Sequence, residues 1–357
     1  MEPTLTYKDF EKLKRLRLTF DRNYRLTHLL ANYLNLAPTL ITREMVDELT
    51  ADGALTREEA IGAILTEVFL PNAADDPEER ILSRDYLLPA VRILDAARYE
   101  NDPYYKAIDI KDATRGRFAL KNESYAPYRA VVGAEVEVME DGREIVPIGY
   151  FPDGFDFLAI AEDGNEWMTL TPIDLDTSRE AIDAAHGRVI TFGLGLGYYV
   201  FMAAAKEEVE EIVAVEKSSD VIALFREHIL PHIPNAHKVR IIEADAFLYA
   251  EEEMTREHYD VAFVDTWRDV SDGLPMYLRM KKAEGKHPGT RFLYWIEDFI
   301  LSHLRSLVFE EIWAHESADA THRGEGATRT FDEILYRLSK EGLRKEALMR
   351  TKDMFKS

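Results

Sequence analysis

Three regularly spaced glycines could form a ligand-binding turn in this sequence. Gly193, Gly195 and Gly197 follow the apolar run "VITF" and precede the helical pattern "YYVFMAAAKE". Glycines in such a turn let the backbone bend sharply and approach a ligand, and the following helix offers free amides. A dinucleotide fingerprint would need a small residue at position 198, where this chain has Tyr198. The spacing therefore favours a nucleoside ligand over a pyrophosphate, with a turn needed only for strand–helix packing as the structural alternative.

Two acidic residues follow the next two apolar runs. Glu216 ends "EIVAVE", where a carboxylate can accept hydrogen bonds from both ribose hydroxyls. Asp245, followed by Ala246 in "IIEADAF", ends the next run, where a carboxylate would face the exocyclic amine of an adenine. Either acid alone is as consistent with a solvated strand end or a helix cap. Their occurrence after consecutive strands, together with the glycine turn, predicts a nucleoside site.

The fourth apolar run ends in the segment "VDTWRD", which supplies the candidate catalytic groups. Asp265 and Asp269 are the carboxylates best placed to remove a proton from an acceptor. Trp267 could form a cation–π wall beside a sulfonium or ammonium group. The alternative is structural, with Asp265 capping the strand and Asp269 facing solvent.

These residues require a sheet that brings the strand ends to one edge. After Gly187, apolar strands and helices alternate, which is typical of an α/β, Rossmann-like, doubly wound and mostly parallel sheet. Ligands of such sheets bind at the carboxyl ends of the strands. The capping-box spacing at Thr177 to Glu180 predicts a short helix before the first strand.

The preceding chain has different patterns. Residues 7–112 have helical periodicity, including the segment "ILSRDYLLPAVRILDAARY" and a capping box from Thr56 to Glu59. Residues 117–172 alternate around Asp141-Gly142 and Asp163-Gly164, which predicts two antiparallel hairpins. We therefore expect an all-helical N-terminal domain over 1–115, a small antiparallel β segment over 116–175 and the Rossmann-like domain over 176–357.

Composition excludes several mechanisms. The 357 residues contain no cysteine, which removes thiolate metal sites and a cysteine nucleophile. Pro231 and Pro234 interrupt the spacing of the histidines at 228, 232 and 237, so we expect no metal site. A net charge of −22 makes a nucleic-acid partner unlikely on electrostatic grounds. The absence of a signal-like N-terminus or a long apolar run predicts a cytoplasmic protein without a membrane span.

Residues 187 to about 300 resemble the class I S-adenosylmethionine-dependent methyltransferase superfamily. The resemblance is carried by "VITFGLGLG", "VAVEKS", "EADAF" and "YDVAFVDTW". It implies S-adenosylmethionine as cofactor, lined by the three glycines, with Glu216 at the ribose and Asp245 and Ala246 at the adenine. The chain departs from the family at Thr191, where an acid is usual. It also departs after Glu297, where helical patterns replace the final antiparallel hairpin.

The resemblance implies methyl transfer to a small-molecule or protein acceptor. The β segment and the acids 265 and 269 also resemble aminopropyltransferases of the spermidine synthase family, although the spacing of the acids differs. A third alternative is a non-catalytic binding module. The polar stretch 315–330 is either a surface loop or a lid, and the apolar faces of the N-terminal helices pack either on the sheet or in a homo-oligomer.

Overall fold

The computed structural model describes residues 7–321 of the chain. The helices, in chain order, are α1 (Tyr7–Leu36), α2 (Arg43–Thr50), α3 (Arg57–Phe69), α4 (Pro77–Leu82), α5 (Leu88–Ala90), α6 (Ala96–Glu100), α7 (Pro103–Ala107), α8 (Pro172–Thr177), α9 (Arg179–Ala184), α10 (Tyr198–Ala205), α11 (Ser219–Leu224), α12 (Ala246–Leu248), α13 (Val270–Glu284) and α14 (Glu297–Thr321). Short π-helical or 3₁₀ segments cover Ser83–Leu87, Phe225–Ile229, Leu230–His232, Ala236–Lys238, Tyr249–Glu253 and Met254–Arg256. In the part of the chain described, no helix is long and apolar enough to cross a membrane.

The strands form four sheets. They are β1 (Val91–Ile93), β2 (Ala113–Arg115), β3 (Phe118–Tyr125), β4 (Ala130–Val132), β5 (Glu137–Val138), β6 (Glu144–Ile145), β7 (Ile148–Tyr150), β8 (Phe155–Glu162), β9 (Asn165–Thr169), β10 (Gly187–Phe192), β11 (Val209–Glu216), β12 (Val239–Glu243), β13 (Val261–Val264) and β14 (Arg291–Tyr294). The sheet orders are β12-β11-β10-β13-β14, β2-β3-β8-β9, β1-β7-β4 and β5-β6.

The largest sheet among the described residues is parallel throughout, and β10, its first strand in the sequence, lies in the middle. Numbered from β10, its order is 3-2-1-4-5, that of a Rossmann-like sheet. Alternate residues of β10 face opposite cores: Val189 packs with α10 and α11, and Ile190 packs with α13 and α14. Because both faces are covered, the central strands are buried and mainly apolar over most of their length. The predicted α/β Rossmann-like architecture is confirmed.

The prediction of one helix across "ILSRDYLLPAVRILDAARY" is wrong, and the N-terminal segment is therefore not entirely helical. Pro89 lies in α5, the helix ends at Ala90, and β1 begins at Val91. Strand β1 pairs in parallel with β7, which is remote in sequence. The β-branched residues of β1 suit this half-buried position.

Both predicted hairpins are present. Strands β5 and β6 flank Asp141-Gly142, and β8 and β9 flank Asp163-Gly164. Asp163 and Gly164 both have positive φ, 51° and 83°, as a type I′ turn requires. The capping box at Thr56 and Glu59 is confirmed.

The capping box predicted at Thr177 is wrong, because Thr177 ends α8 and its hydroxyl donates to the carbonyl of Ile173. The box lies earlier, where Asp174 accepts from both the amide and the hydroxyl of Thr171, each at 2.8 Å. Pro172 at the first helical position supports this start. The capping box therefore contains Asp174, a residue for which the sequence pattern predicts no role, and places it beside the end of β10.

The buried clusters cross the predicted domain boundaries. The first half of α1, at Leu13 and Phe20, packs in the core shared by α13 and α14. Its second half, at Leu26 and Tyr33, packs with α3, β1 and β7. The four-stranded antiparallel sheet shares a core with α10 and α11. The division at residues 115 and 175 stays a prediction.

Candidate functional site

The glycine turn lies at the carboxyl end of β10. Gly193, Gly195 and Gly197 have φ values of 97°, 47° and 73°, in the left-handed region that favours glycine. A β-carbon at residue 193 would collide with the carbonyl oxygen of Asp265, and one at residue 197 with the ring of Phe225. The turn therefore needs glycine for its conformation and for its close packing.

Gly195 is covered by a side chain from the antiparallel sheet. The sulfur of Met168, on β9, occupies the space beside Gly195. Met168, Trp295 and the glycine turn enclose a cavity of about 20 Å³. This space is on the scale of a single water molecule. In this conformation the turn has room for a small polar group, and a nucleoside requires Met168 to move.

Glu216 stabilises the same turn through hydrogen bonds to backbone amides. Its carboxylate is 6% exposed and accepts from the amide of Leu194 at 3.2 Å and from the amide of Ser218 at 2.8 Å. An ionised carboxylate has about four lone-pair positions, so these two bonds leave acceptor capacity for hydroxyl groups. The geometry gives Glu216 a structural role at the turn, and its position at the ribose stays a prediction.

Asp245 begins α12 at the end of β12. One carboxylate oxygen accepts from the amides of Phe247 and Leu248, both at 3.0 Å, and the residue is exposed. Ala246 is the first residue of this short helix. Helix capping accounts for one oxygen of Asp245 and leaves the other available to an amine donor.

Asp265 directly follows β13 and is half-buried. Its amide donates to the carbonyl of Phe192, which holds it beside the glycine turn. Burial, followed by the charges of Asp174 and Glu216, raises the pKa of Asp265 to about 8. A carboxyl with a pKa near neutral pH can accept and return a proton, as general acid–base catalysis requires.

The structure does not bring Asp269 to the cavity that Asp265 lines. Asp269 is exposed and caps α13, where it accepts from the amide and hydroxyl of Ser271 at 2.7 and 2.5 Å. The hydroxyl of Ser271 lowers the pKa of Asp269, which weakens it as a base. Its geometry is that of a helix cap, the structural alternative for this residue.

Two residues without a sequence assignment line the cavity with Asp265. Asp174 is buried, and burial raises its pKa to about 6 despite the bonds from Thr171. Tyr199, on α10, is 5% exposed, and its hydroxyl has no hydrogen-bond partner among the described residues. The Thr-Pro-x-Asp pattern at 171–174 could have identified the position of Asp174. No comparable signal identifies Tyr199.

Trp267 does not form the predicted wall. It packs in the core on the other face of the sheet, stacked on Tyr294 with ring centroids 6.3 Å apart. The indole that does line the cavity is Trp295, at the carboxyl end of β14. The next residue, Ile296, has a φ of 47°, a strained conformation for a β-branched side chain that turns the chain away from the site.

Thr191 occupies the position where the resembled family usually has an acid. It is buried within β10, and its hydroxyl donates to the carbonyl of Gly193 at 3.2 Å. This bond fixes the start of the glycine turn without adding charge. Thr191 also lines the cavity, so a cationic group there would rely on other acids.

A larger cavity of about 670 Å³ runs along β14, the edge strand of the described sheet. Within the described residues α14 follows β14 directly, as the helical pattern after Glu297 predicts. Helix α14 covers residues 315–321 of the predicted loop or lid, and the rest of that stretch lies outside the described residues.

No protein-family model and no curated protein matches the chain. Solved structures match parts of it. They include precorrin 8w decarboxylase of Methanobacterium thermoautotrophicum (18% identity, 35% of this chain, 64% of that chain, TM-score 0.28). A spermidine synthase of Thermotoga maritima matches with 15% identity over 43% of this chain and 59% of that chain, at a TM-score of 0.29. A putative O-methyltransferase of Klebsiella pneumoniae matches with 20% identity over 28% of this chain and 44% of that chain, at a TM-score of 0.23. The chain thus spans less than two thirds of each, and its Rossmann-like classification rests on its own strand order.

Proposed function

We propose that this protein is an S-adenosylmethionine-dependent methyltransferase. The observation that carries the proposal is the alignment of a left-handed glycine turn, buried Glu216 and Asp245 at the carboxyl ends of three adjacent parallel strands. This edge is where ligands of Rossmann-like sheets bind. The hydrogen-bond acceptors suit a nucleoside, with one carboxylate for the ribose hydroxyls and another for an adenine amine. S-adenosylmethionine, when bound, supplies a methyl group activated by its sulfonium sulfur.

The chain's own residues divide the remaining work. Glu216 would hold the ribose hydroxyls, and Asp245 with Ala246 would face the adenine. The glycine turn would present its backbone to the ligand, with Met168 moved aside. Methionine has three flexible torsions and can repack at modest cost.

Asp265 is the proposed base. It lies beside Gly193 and lines the cavity under the turn. An acceptor held there would give its proton to the Asp265 carboxylate, and its lone pair would form the bond to the methyl carbon as the carbon–sulfur bond breaks and S-adenosylhomocysteine leaves with that electron pair. Positioning supplies most of the acceleration of such an in-line displacement, and the base supplies the rest.

Aminopropyl transfer from decarboxylated S-adenosylmethionine is the second candidate. The feature that favours it is a pair of carboxyl groups, Asp174 and Asp265, in one cavity roofed by the antiparallel sheet. A non-catalytic module is the third candidate, supported by Thr191 and by the side chain of Met168 over Gly195.

Calorimetric titration with S-adenosylmethionine, S-adenosylhomocysteine, decarboxylated S-adenosylmethionine and NAD tests these proposals. We expect micromolar binding of the first two and none of NAD. Preference for the decarboxylated form would select aminopropyl transfer. Failure of all four to bind would overturn the nucleoside site and leave the glycine turn with a packing role.

A further inference from the structure

We infer that the cavity under the glycine turn receives the ammonium group of a small aliphatic amine, which would be the acceptor. Its role as acceptor rests on the proposed methyl transfer, whereas binding of the amine can be tested alone. The inference names Asp174 and Tyr199, together with Asp265, as the groups that contact the ammonium.

The charges in the cavity favour a cation. Asp174 and Asp265 both line it, and the described residues around it include no lysine, arginine or histidine. Burial raises the pKa of both carboxyl groups, and the charge of Asp174 adds to the rise at Asp265. A cation between them would favour the ionised form of both groups. A ligand carboxylate would instead be repelled.

The hydroxyl of Tyr199 is a second, independent observation. It is buried in the cavity wall and lacks a hydrogen-bond partner among the described residues, although a buried hydroxyl normally has one. An ammonium group has three donors. Asp174, Asp265 and Tyr199 offer three acceptors, and the bonds from Thr171 occupy only one oxygen of Asp174.

The cavity has room for only the ammonium head of an aliphatic amine, and its apolar lining suits the alkyl chain once Met168 moves. The cavity of about 20 Å³ is on the scale of one water molecule or one ammonium head. Met168, Leu170 and Trp295 provide the apolar part of its wall. An alkyl chain would follow this apolar side, and the indole of Trp295 could add a cation–π contribution.

The test is calorimetric titration at pH 7 with n-butylammonium chloride, using 1-butanol and sodium butyrate as probes of matched length. We expect n-butylammonium to bind at least tenfold more tightly than either control. Equal binding of 1-butanol, or no binding of n-butylammonium, would overturn the inference, the latter leaving water as the occupant of the cavity.

Substitutions in the cavity test whether n-butylammonium binds there. Asp174→Asn keeps an acceptor for Thr171 and should weaken n-butylammonium binding at least tenfold. Tyr199→Phe breaks no hydrogen bond among the described residues and should weaken n-butylammonium binding about threefold. Asp183→Asn, exposed on α9, is the matched control and should bind as the wild type does. Unchanged affinity in both cavity variants would place the amine elsewhere and refute the assignment.

A separate titration with S-adenosylhomocysteine distinguishes the two proposals. Binding of S-adenosylhomocysteine without n-butylammonium would retain the nucleoside site and remove the amine site. Binding of n-butylammonium alone would retain the amine site and remove the proposed methyltransferase.

Discussion

The sulfur of Met168 lies beside the backbone of Gly195, in the space that a β-carbon at residue 195 would fill. Strand β9 of the antiparallel sheet thereby contacts the turn at the end of β10. Under the proposed function a nucleoside would need part of this space, so its binding would compete with the packing of Met168. Any gain in ligand affinity from removing this side chain measures that competition.

Met168→Ala should bind S-adenosylhomocysteine about tenfold more tightly than the wild type. Displacing a partly buried methionine costs about 1–2 kcal/mol, and the variant avoids that cost. Calorimetry gives the affinity. Met202→Ala, which shortens a methionine on α10 in the same core, is the control and should leave the affinity unchanged. Weaker binding by Met168→Ala would mean that Met168 contacts the ligand.

Glu216→Gln should lower both stability and affinity. The two carboxylate oxygens of Glu216 accept from the amides of Leu194 and Ser218, one bond each. Glutamine has a single side-chain oxygen and therefore loses one of these bonds. We expect a loss of about 2 kcal/mol in unfolding free energy and at least a tenfold loss in S-adenosylhomocysteine affinity. Urea unfolding and calorimetry measure the two effects. Glu243→Gln, at the paired position on β12 but exposed, should change neither.

The raised pKa of Asp265 makes stability depend on pH. This carboxyl binds its proton more tightly in the folded state, where its pKa is about 8, than in the unfolded chain, where it is about 4. The resulting stabilisation is present at low pH and is lost as pH rises to about 8. Asp265→Asn should therefore gain roughly 4 kcal/mol relative to the wild type between pH 5 and 8, as measured by urea unfolding.

The control for this pH effect is Asp269→Asn. Its pKa is lowered, so Asp269 remains ionised across the same range. The difference between this variant and the wild type should stay constant from pH 5 to 8. A constant difference for Asp265→Asn as well would show that Asp265 ionises at low pH and would weaken its assignment as the base.

Asp269→Ala tests the capping role directly. Loss of the bonds to the start of α13 should lower the unfolding free energy by about 1 kcal/mol, and asparagine should restore most of it. Thermal unfolding of the two variants gives the comparison. Equal stability of the alanine and asparagine variants would contradict the capping role.

The central strands could be predicted because their signal is local. Apolar runs such as that of β11, which ends at Glu216, indicate a strand buried on both faces. The dipeptides of the two hairpin turns indicate a backbone with positive φ. Strand β1 could not be predicted in this way, since it depends on pairing with β7, far along the chain. Its short β-branched run was hidden in a helical pattern.

The same distinction between local signals and long-range packing applies to the residues of the candidate site. The strand order brings Gly193, Glu216 and Asp245 to one edge, and their sequence positions suffice to predict this once the sheet is parallel. Met168 and Asp174 come from elements before that sheet. Their contacts with the cavity depend on how β9 and α8 pack on it, which no periodicity records.

Helix α1 contributes to two buried clusters, with Phe20 stacked on Phe309 in one and Tyr33 buried in the other. A recombination event that exchanged the N-terminal helices for another module would therefore remove one wall of the core on this face of the Rossmann-like sheet. Proteolytic removal of α1 would do the same. The helices and the sheet therefore depend on each other for their cores, and damage to either should appear in a melting curve as a single cooperative loss of both.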